Sequence, residues 1–199
     1  MEVNKVKEIL KKVSDEIIAN KDYLTDLDRS IGDADHGINM AKGFKFTQEG
    51  LEEDFDDYKT LFNKVATTLL SKVGGASGPL YGSFFMKFAA SLDGVDDFKK
   101  EDLNKAFEAG VESVKQRGKA EVGDKTMVDV LEPVAEALNE GKTYTEVIKV
   151  AEDAMNATKD IKAKKGRASY VGDRSIGHID PGAASSYIII KTAFGELDD

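Results

Sequence analysis

Leu27-Asp28-Arg29-Ser30-Ile31-Gly32-Asp33-Ala34-Asp35-His36-Gly37-Ile38-Asn39-Met40 is the stretch from which the rest of the chain is best read. Asp28, Asp33 and Asp35 fall within eight residues, with Gly32 and Gly37 on either side of the last two. Carboxylates this close repel one another, so a fold that gathers them usually holds a cation between them. An all-oxygen ligand set suits a hard ion, Mg²⁺ or Ca²⁺, rather than zinc. Counting from Asp33 as first residue, an EF-hand would need glycine at position six and Glu at position twelve. Glycine comes one place early, at Gly37, and Phe44 stands at the twelfth, so that reading fails. Mg²⁺ completes its shell with water and substrate phosphates, which points to a nucleotide. A plain alternative is an acidic surface loop with Asp35 capping the next helix.

Outward from this stretch, apolar residues recur at helical spacing. Val3, Val6, Ile9, Leu10, Val13, Ile17 and Ile18 predict a first helix over 3–20, with the Asp loop after it. Further helices are expected over 37–48, 58–72, 80–92, 100–115, 128–139, 143–164 and 182–194. The helix over 80–92, fourth in the chain and carrying Phe84, Phe85, Met86, Phe88 and Ala89, should be the most buried. Thr143 and Glu146 form a capping box, and 166–181 is the longest irregular run. No set of strands emerges, so the fold is read as all-α: one domain, 1–199, of eight antiparallel up-and-down helices.

Within that scheme the connections alternate. Those joining helices one to two, three to four, five to six and seven to eight are glycine-rich and carry Asp, Ser, Thr, Arg and His; the others are acidic or plain turns. Antiparallel packing puts the four unusual connections at one end, as one site. Gly74-Gly75-Ala76-Ser77-Gly78 can present backbone N–H groups to phosphate ahead of a helix, though it is neither a Walker loop nor a nucleophile elbow. Arg167 and Arg174 could grip phosphate bidentately or pair with surface carboxylates. Asp180 could cap the last helix.

The 199 residues carry a net charge of −9, which argues against a nucleic-acid surface. There is no cysteine, hence no disulfide and no thiolate site. No apolar run approaches a membrane span and no leader is evident at the start, so a cytoplasmic protein without membrane contact is expected.

Four ordered blocks carry a resemblance: Asp28-x₄-Asp33-x-Asp35-His36-Gly37-x-Asn39-Met40; Gly74-Gly75-Ala76-Ser77-Gly78-Pro79; Arg117-Gly118-Lys119-Ala120 with Gly123-Asp124-Lys125-Thr126-Met127; and Gly166-Arg167-Ala168-Ser169-Tyr170 with Asp180-Pro181-Gly182-Ala183. Together these resemble the nucleotide-binding L subunit of bacterial dihydroxyacetone kinases. The resemblance implies a barrel of eight helices and two Mg²⁺ ions on Asp28, Asp33 and Asp35. It implies ADP or ATP contacts at His36, Gly37, Ile38, Asn39, Ala76, Ser77, Gly118, Thr126, Met127, Arg167, Asp180, Pro181 and Gly182. The chain's end at Asp199 suggests the lone-subunit, phosphotransferase-system version. There, bound ADP is recharged by a phosphohistidine protein (the M subunit), and the phosphoryl group passes to dihydroxyacetone on a K subunit. The competing readings are a Mg²⁺-dependent phosphohydrolase, a non-catalytic nucleotide-binding regulator and the nucleotide domain of a fatty-acid kinase.

Overall fold

The computed structural model describes residues 1–198. Among them are nine α-helices: α1 (Val3–Ala19), α2 (Lys21–Ile31), α3 (His36–Gly50), α4 (Tyr58–Lys72), α5 (Ser77–Ser91), α6 (Lys100–Gly118), α7 (Val128–Asn139), α8 (Tyr144–Ala157) and α9 (Pro181–Gly195). Two 3₁₀ segments, Thr158–Asp160 and Arg167–Ser175, lie between α8 and α9. No strand occurs among the described residues, and no helix is long and apolar enough to cross a membrane.

Eight of the helices close a ring. α1 packs on α3, α3 on α4, and so on in chain order to α8 on α9, and α9 returns to α1. That ring is the expected barrel of eight. The ninth helix, α2, lies outside the ring order and packs on α3, α9 and the longer 3₁₀ segment. It occupies part of what the sequence presented as the Asp loop. Its buried positions are Leu24, Asp28 and Ile31, at the i, i+4, i+7 spacing of a helix face, and the carboxylate in the middle hides the apolar pattern.

Local chemistry sets the helix ends. Asp57 accepts from Thr60 N at 2.7 Å to start α4, and the Thr143–Glu146 capping box starts α8 as read. The expected helix over 143–164 stops at Ala157; the chain tightens into a 3₁₀ turn and Ile161 is extended. Nor is the helix with four aromatic residues the most buried. Eight of the twelve residues of α7 are buried, against seven of fifteen in α5, where Met86 faces solvent. Helix α7 is packed on α6, α8 and α9, and its Val and Ala side chains permit close approach.

Inside the ring, Phe62, Phe84, Phe85, Phe88, Phe107 and Phe194 form a chain of ring contacts, the Phe62 and Phe88 centroids 4.5 Å apart. Such tilted and edge-on pairs add to the large apolar area each ring buries. One hydrophobic cluster links all nine helices except for a small satellite of Ile31, Ala163 and Ala168 beneath the longer 3₁₀ segment.

Candidate functional site

Antiparallel closure brings the connections α2–α3, α4–α5, α6–α7 and α8–α9 to one end of the barrel, around a cleft of about 490 Å³. Helices α3, α5, α7 and α9 all begin there. Residues from the first turns of each, His36, Ser77, Val128 and Pro181 among them, line the cleft. Four helix N-termini aim partial positive charge into it, so an anion is favoured even in a chain of net charge −9.

The three aspartates stand on the cleft wall with one carboxylate oxygen of each within 4.8 Å of the others. Asp28 comes from the last turn of α2 and is buried. Its Oδ2 accepts from Asp35 N at 2.9 Å and His36 N at 3.2 Å, so a carboxylate from α2 caps α3. Asp35, which the sequence offered as that cap, makes no capping bond and is left free to face the cleft. Ala34 takes φ 59°, a left-handed conformation uncommon outside glycine, between the other two ligand candidates. A Cβ on Gly32 would sit 2.0 Å from Asp28 Oδ1, which fixes glycine at that position. Burial, together with the Asp33 carboxylate, holds Asp35 above the ordinary carboxylate range, although the Asn39 side chain bonds to it. Oxygen-only donors in mutual repulsion are the chemistry that a hard divalent cation relieves, so the set fits Mg²⁺.

Arg167, at the start of the longer 3₁₀ segment, pairs with Asp33 Oδ2 at 2.9 Å. It therefore meets a carboxylate of the site rather than one elsewhere on the surface. Arg174 lines no part of the cleft.

Of the residues singled out in the sequence, Asp28, Asp33, Asp35, His36, Asn39, Ala76, Ser77, Gly118, Thr126, Met127, Arg167, Asp180, Pro181 and Gly182 all line the cleft. Gly37 and Ile38 do not. Gly37 packs against α2, where a Cβ would fall 2.0 Å from the Lys21 carbonyl oxygen, and Ile38 is exposed.

Polar groups behind the wall hold it in place. Asp180 caps α9 through Ala183 N at 2.8 Å, as the sequence allowed. Buried, it is pushed up to about 7 by desolvation, with the Asp129 charge adding to the shift. His36 is buried with Nδ1 3.2 Å from Ser77 Oγ and Nε2 2.9 Å from Ser185 Oγ. Desolvation lowers it to about 4, so the ring is neutral at pH 7. Asp129 accepts from Gly123 N and Thr126 N, both at 2.7 Å, and so shapes the α6–α7 turn beneath Thr126.

Sequence reading passed over Lys125 as a site residue. It takes φ 63° and is 1% exposed. Its Nζ donates to the carbonyls of Thr158 (2.7 Å), Ile161 (3.1 Å), Ser175 (2.7 Å) and His178. One ammonium thus gathers the α8–α9 connection and sets where Arg167 and Asp180 stand. Nothing local in the sequence distinguishes it from a surface lysine.

A ring of eight helices around an apolar interior, with acidic and glycine-rich loops gathered at one mouth, defines a nucleotide- and metal-type site on an all-α barrel. The chain belongs to the DAK2 domain family, whose profile it matches over residues 30–195. It is 48% identical over 171 residues to the PEP-dependent dihydroxyacetone kinase 1, ADP-binding subunit DhaL, of Listeria innocua, covering 85% of this chain and 84% of that one. It is 46% identical over 186 residues to the PTS-dependent dihydroxyacetone kinase, ADP-binding subunit DhaL, of Lactococcus lactis, covering 93% of each. Among solved structures it resembles the dihydroxyacetone kinase from C. freundii in complex with AMP-PNP and Mg²⁺, with a TM-score of 0.79 at 24% identity. That likeness covers 99% of this chain and 34% of the longer one, and it shows the fold.

Proposed function

We propose that this chain is the ADP-binding subunit of a phosphoenolpyruvate-dependent dihydroxyacetone kinase. In this reading ADP stays bound as a coenzyme, a phosphohistidine protein of the phosphotransferase system (the M subunit) recharges it, and the γ-phosphoryl group passes to dihydroxyacetone held by a separate K subunit. The observation that carries it is the meeting of four helix N-termini and three aspartates in one cleft, in a chain that is 46–48% identical to subunits of that name over most of their length.

Asp28, Asp33 and Asp35 are the residues that would hold Mg²⁺, two ions on the family pattern. Bound there, Mg²⁺ supplies the charge neutralisation that lets phosphate oxygens approach carboxylates. The chain's own groups do the positioning. Amides at the start of α5 and the Ser77 hydroxyl face the phosphate end, and Arg167 can exchange Asp33 for a phosphate oxygen in a bidentate contact. Gly118, Thr126, Met127, Asp180, Pro181 and Gly182 line the rest of the cleft wall, where the nucleoside would lie. Phosphoryl transfer needs positioning and charge stabilisation more than covalent help from the protein, and this wall supplies them. Residues 1–199 act in this reading as one domain of a cytoplasmic assembly, with substrate handling on the partner.

The purified chain should carry stoichiometric ADP by mass spectrometry. With ATP and dihydroxyacetone alone it should turn over little; added K subunit should permit one transfer per bound ATP, and sustained turnover should need the phosphohistidine donor. Phosphate release to water would make it a phosphohydrolase, and nucleotide binding without transfer to dihydroxyacetone would make it a regulator.

A further inference from the structure

Behind the cleft, five neutral side chains form a continuous run of hydrogen bonds. Ser77 opens α5 and lines the cleft, with its Oγ 3.2 Å from His36 Nδ1. His36 Nε2 lies 2.9 Å from Ser185 Oγ. Ser185 Oγ lies 2.7 Å from Tyr81 Oη, and Tyr81 Oη lies 2.9 Å from Ser186 Oγ. His36, Tyr81, Ser185 and Ser186 are all buried, and neither ring nitrogen has a carboxylate among its hydrogen-bond partners.

A neutral imidazole offers one donor and one acceptor, so the ring can stand in this run in only two ways. If Nε2 carries the proton, it donates to Ser185 Oγ, and Ser185 turns its own proton to the Gly182 carbonyl, 3.1 Å away. Ser77 then donates to Nδ1 and shows the cleft a lone pair. If Nδ1 carries the proton, every bond points the other way. Ser185 donates to Nε2, Tyr81 can donate to Ser185, His36 donates to Ser77 Oγ, and the Ser77 proton is left for the cleft. Only the second arrangement suits an anion, because a phosphate oxygen accepts and does not donate.

We infer that Ser185, supported by Tyr81, is a positioning residue for the phosphate end of the cleft: by donating to His36 Nε2 it fixes the Nδ1–H tautomer and so makes the Ser77 hydroxyl a donor to the bound anion. This rests on the nucleotide reading above and adds to it a role for Ser185, which does not line the cleft. The residue that matters is a serine one layer behind the wall, whose single proton has two acceptors to choose between.

The chain has two histidines, His36 and His178, so ¹⁵N spectra of histidine-labelled protein resolve both rings, and a His178→Gln variant assigns them. In the protein loaded with ADP and Mg²⁺, His36 should be the Nδ1–H tautomer. Ser185→Ala should move it toward Nε2–H and weaken ADP binding about tenfold to a hundredfold, the range for one hydrogen bond to a charged group. Ser185→Thr, which keeps the hydroxyl, should restore both readouts. In a Ser77→Ala background, Ser185→Ala should cost nothing further in ADP affinity, because the proton it directs is already gone. An unchanged tautomer in Ser185→Ala, or additive losses in the double variant, overturns the relay. Tight ADP binding with His36 as Nε2–H overturns it too and leaves the nucleotide reading standing. No ADP or ATP binding by the wild-type chain overturns both.

Discussion

Gly32 shows how tightly single residues constrain the aspartate cluster. Its missing Cβ is the space that Asp28 Oδ1 occupies, at 2.0 Å from where that atom would stand. Gly32→Ala should therefore displace the carboxylate that also caps α3, and lower Mg²⁺ affinity about tenfold or more by calorimetry, in line with the loss of a supporting partner at metal sites. Asp35→Asn should abolish Mg²⁺ binding and most ADP affinity with it; an unchanged ADP isotherm rejects the ligand assignment. Asp180 carries a separate, pH-dependent prediction. Its carboxyl titrates near 7 when folded but near 4 when unfolded, so the folded state binds the extra proton between those values. Stability is thus lost as pH rises from about 4 to 7, by no more than about 4 kcal/mol, and stays lost above. Asparagine keeps an acceptor for Ala183 N without the charge. Asp180→Asn should gain stability over the wild type at pH 8 and almost none at pH 4; parallel denaturation curves would contradict this.

At the scale of elements, the α8–α9 connection is held by one lysine from outside it and by hydrogen bonds of its own. Four of its carbonyls converge on Lys125 Nζ, Thr158 Oγ1 accepts from Asp180 N at 3.0 Å, and Ser175 Oγ accepts from Ala163 N at 2.9 Å. Lys125→Met would take the Lys125 donor from the carbonyls of Ile161, Ser175 and His178, while Thr158 keeps a bond from Ile161 N. It should cost about 3–5 kcal/mol, the range for breaking a buried charged network, and amide exchange should rise first across 158–178. Exchange that rises evenly over the whole chain would show that Lys125 serves the barrel rather than this connection. Arg167 rides on the same connection. Arg167→Lys keeps the charge but not the planar fork, so ADP should dissociate faster while thermal stability hardly moves, the ion pair with Asp33 being exposed.

On the scale of the whole molecule, half of the large apolar side chains that face solvent among the described residues lie at the mouth of the barrel. Ile38, Val122, Tyr170 and Ile176 all sit on the connections around the cleft or beside them, and Tyr170 is 87% exposed. Under the proposed function, this rim is where the K subunit docks and excludes water from the transfer. Tyr170→Asp should leave ADP affinity and melting temperature unchanged while K-dependent phosphoryl transfer falls at least about tenfold, as for an aromatic anchor of an interface. Full transfer by that variant would place the docking surface elsewhere.

What the sequence determined by itself was whatever depends on neighbours along the chain. Helical periodicity gave the eight ring helices, the Thr143–Glu146 box gave one start, and the alternation of plain and glycine-rich connections placed the site at one end. The Asp28, Asp33 and Asp35 cluster was legible because all three lie within two turns of chain. Tertiary structure decided what depends on distant segments meeting. Helix α2 escaped notice because its buried face carries Asp28, whose partners are amides of the next helix. A larger share of α7 is buried than of the more aromatic α5, so the number of aromatic residues does not by itself set exposure. Lys125 reads as an ordinary surface residue until the chain some 33 to 53 positions later folds its carbonyls over it. His36 is joined to Ser185 across 149 residues. Such contacts form only when α9 returns to α1 and closes the barrel, and no local propensity encodes that closure.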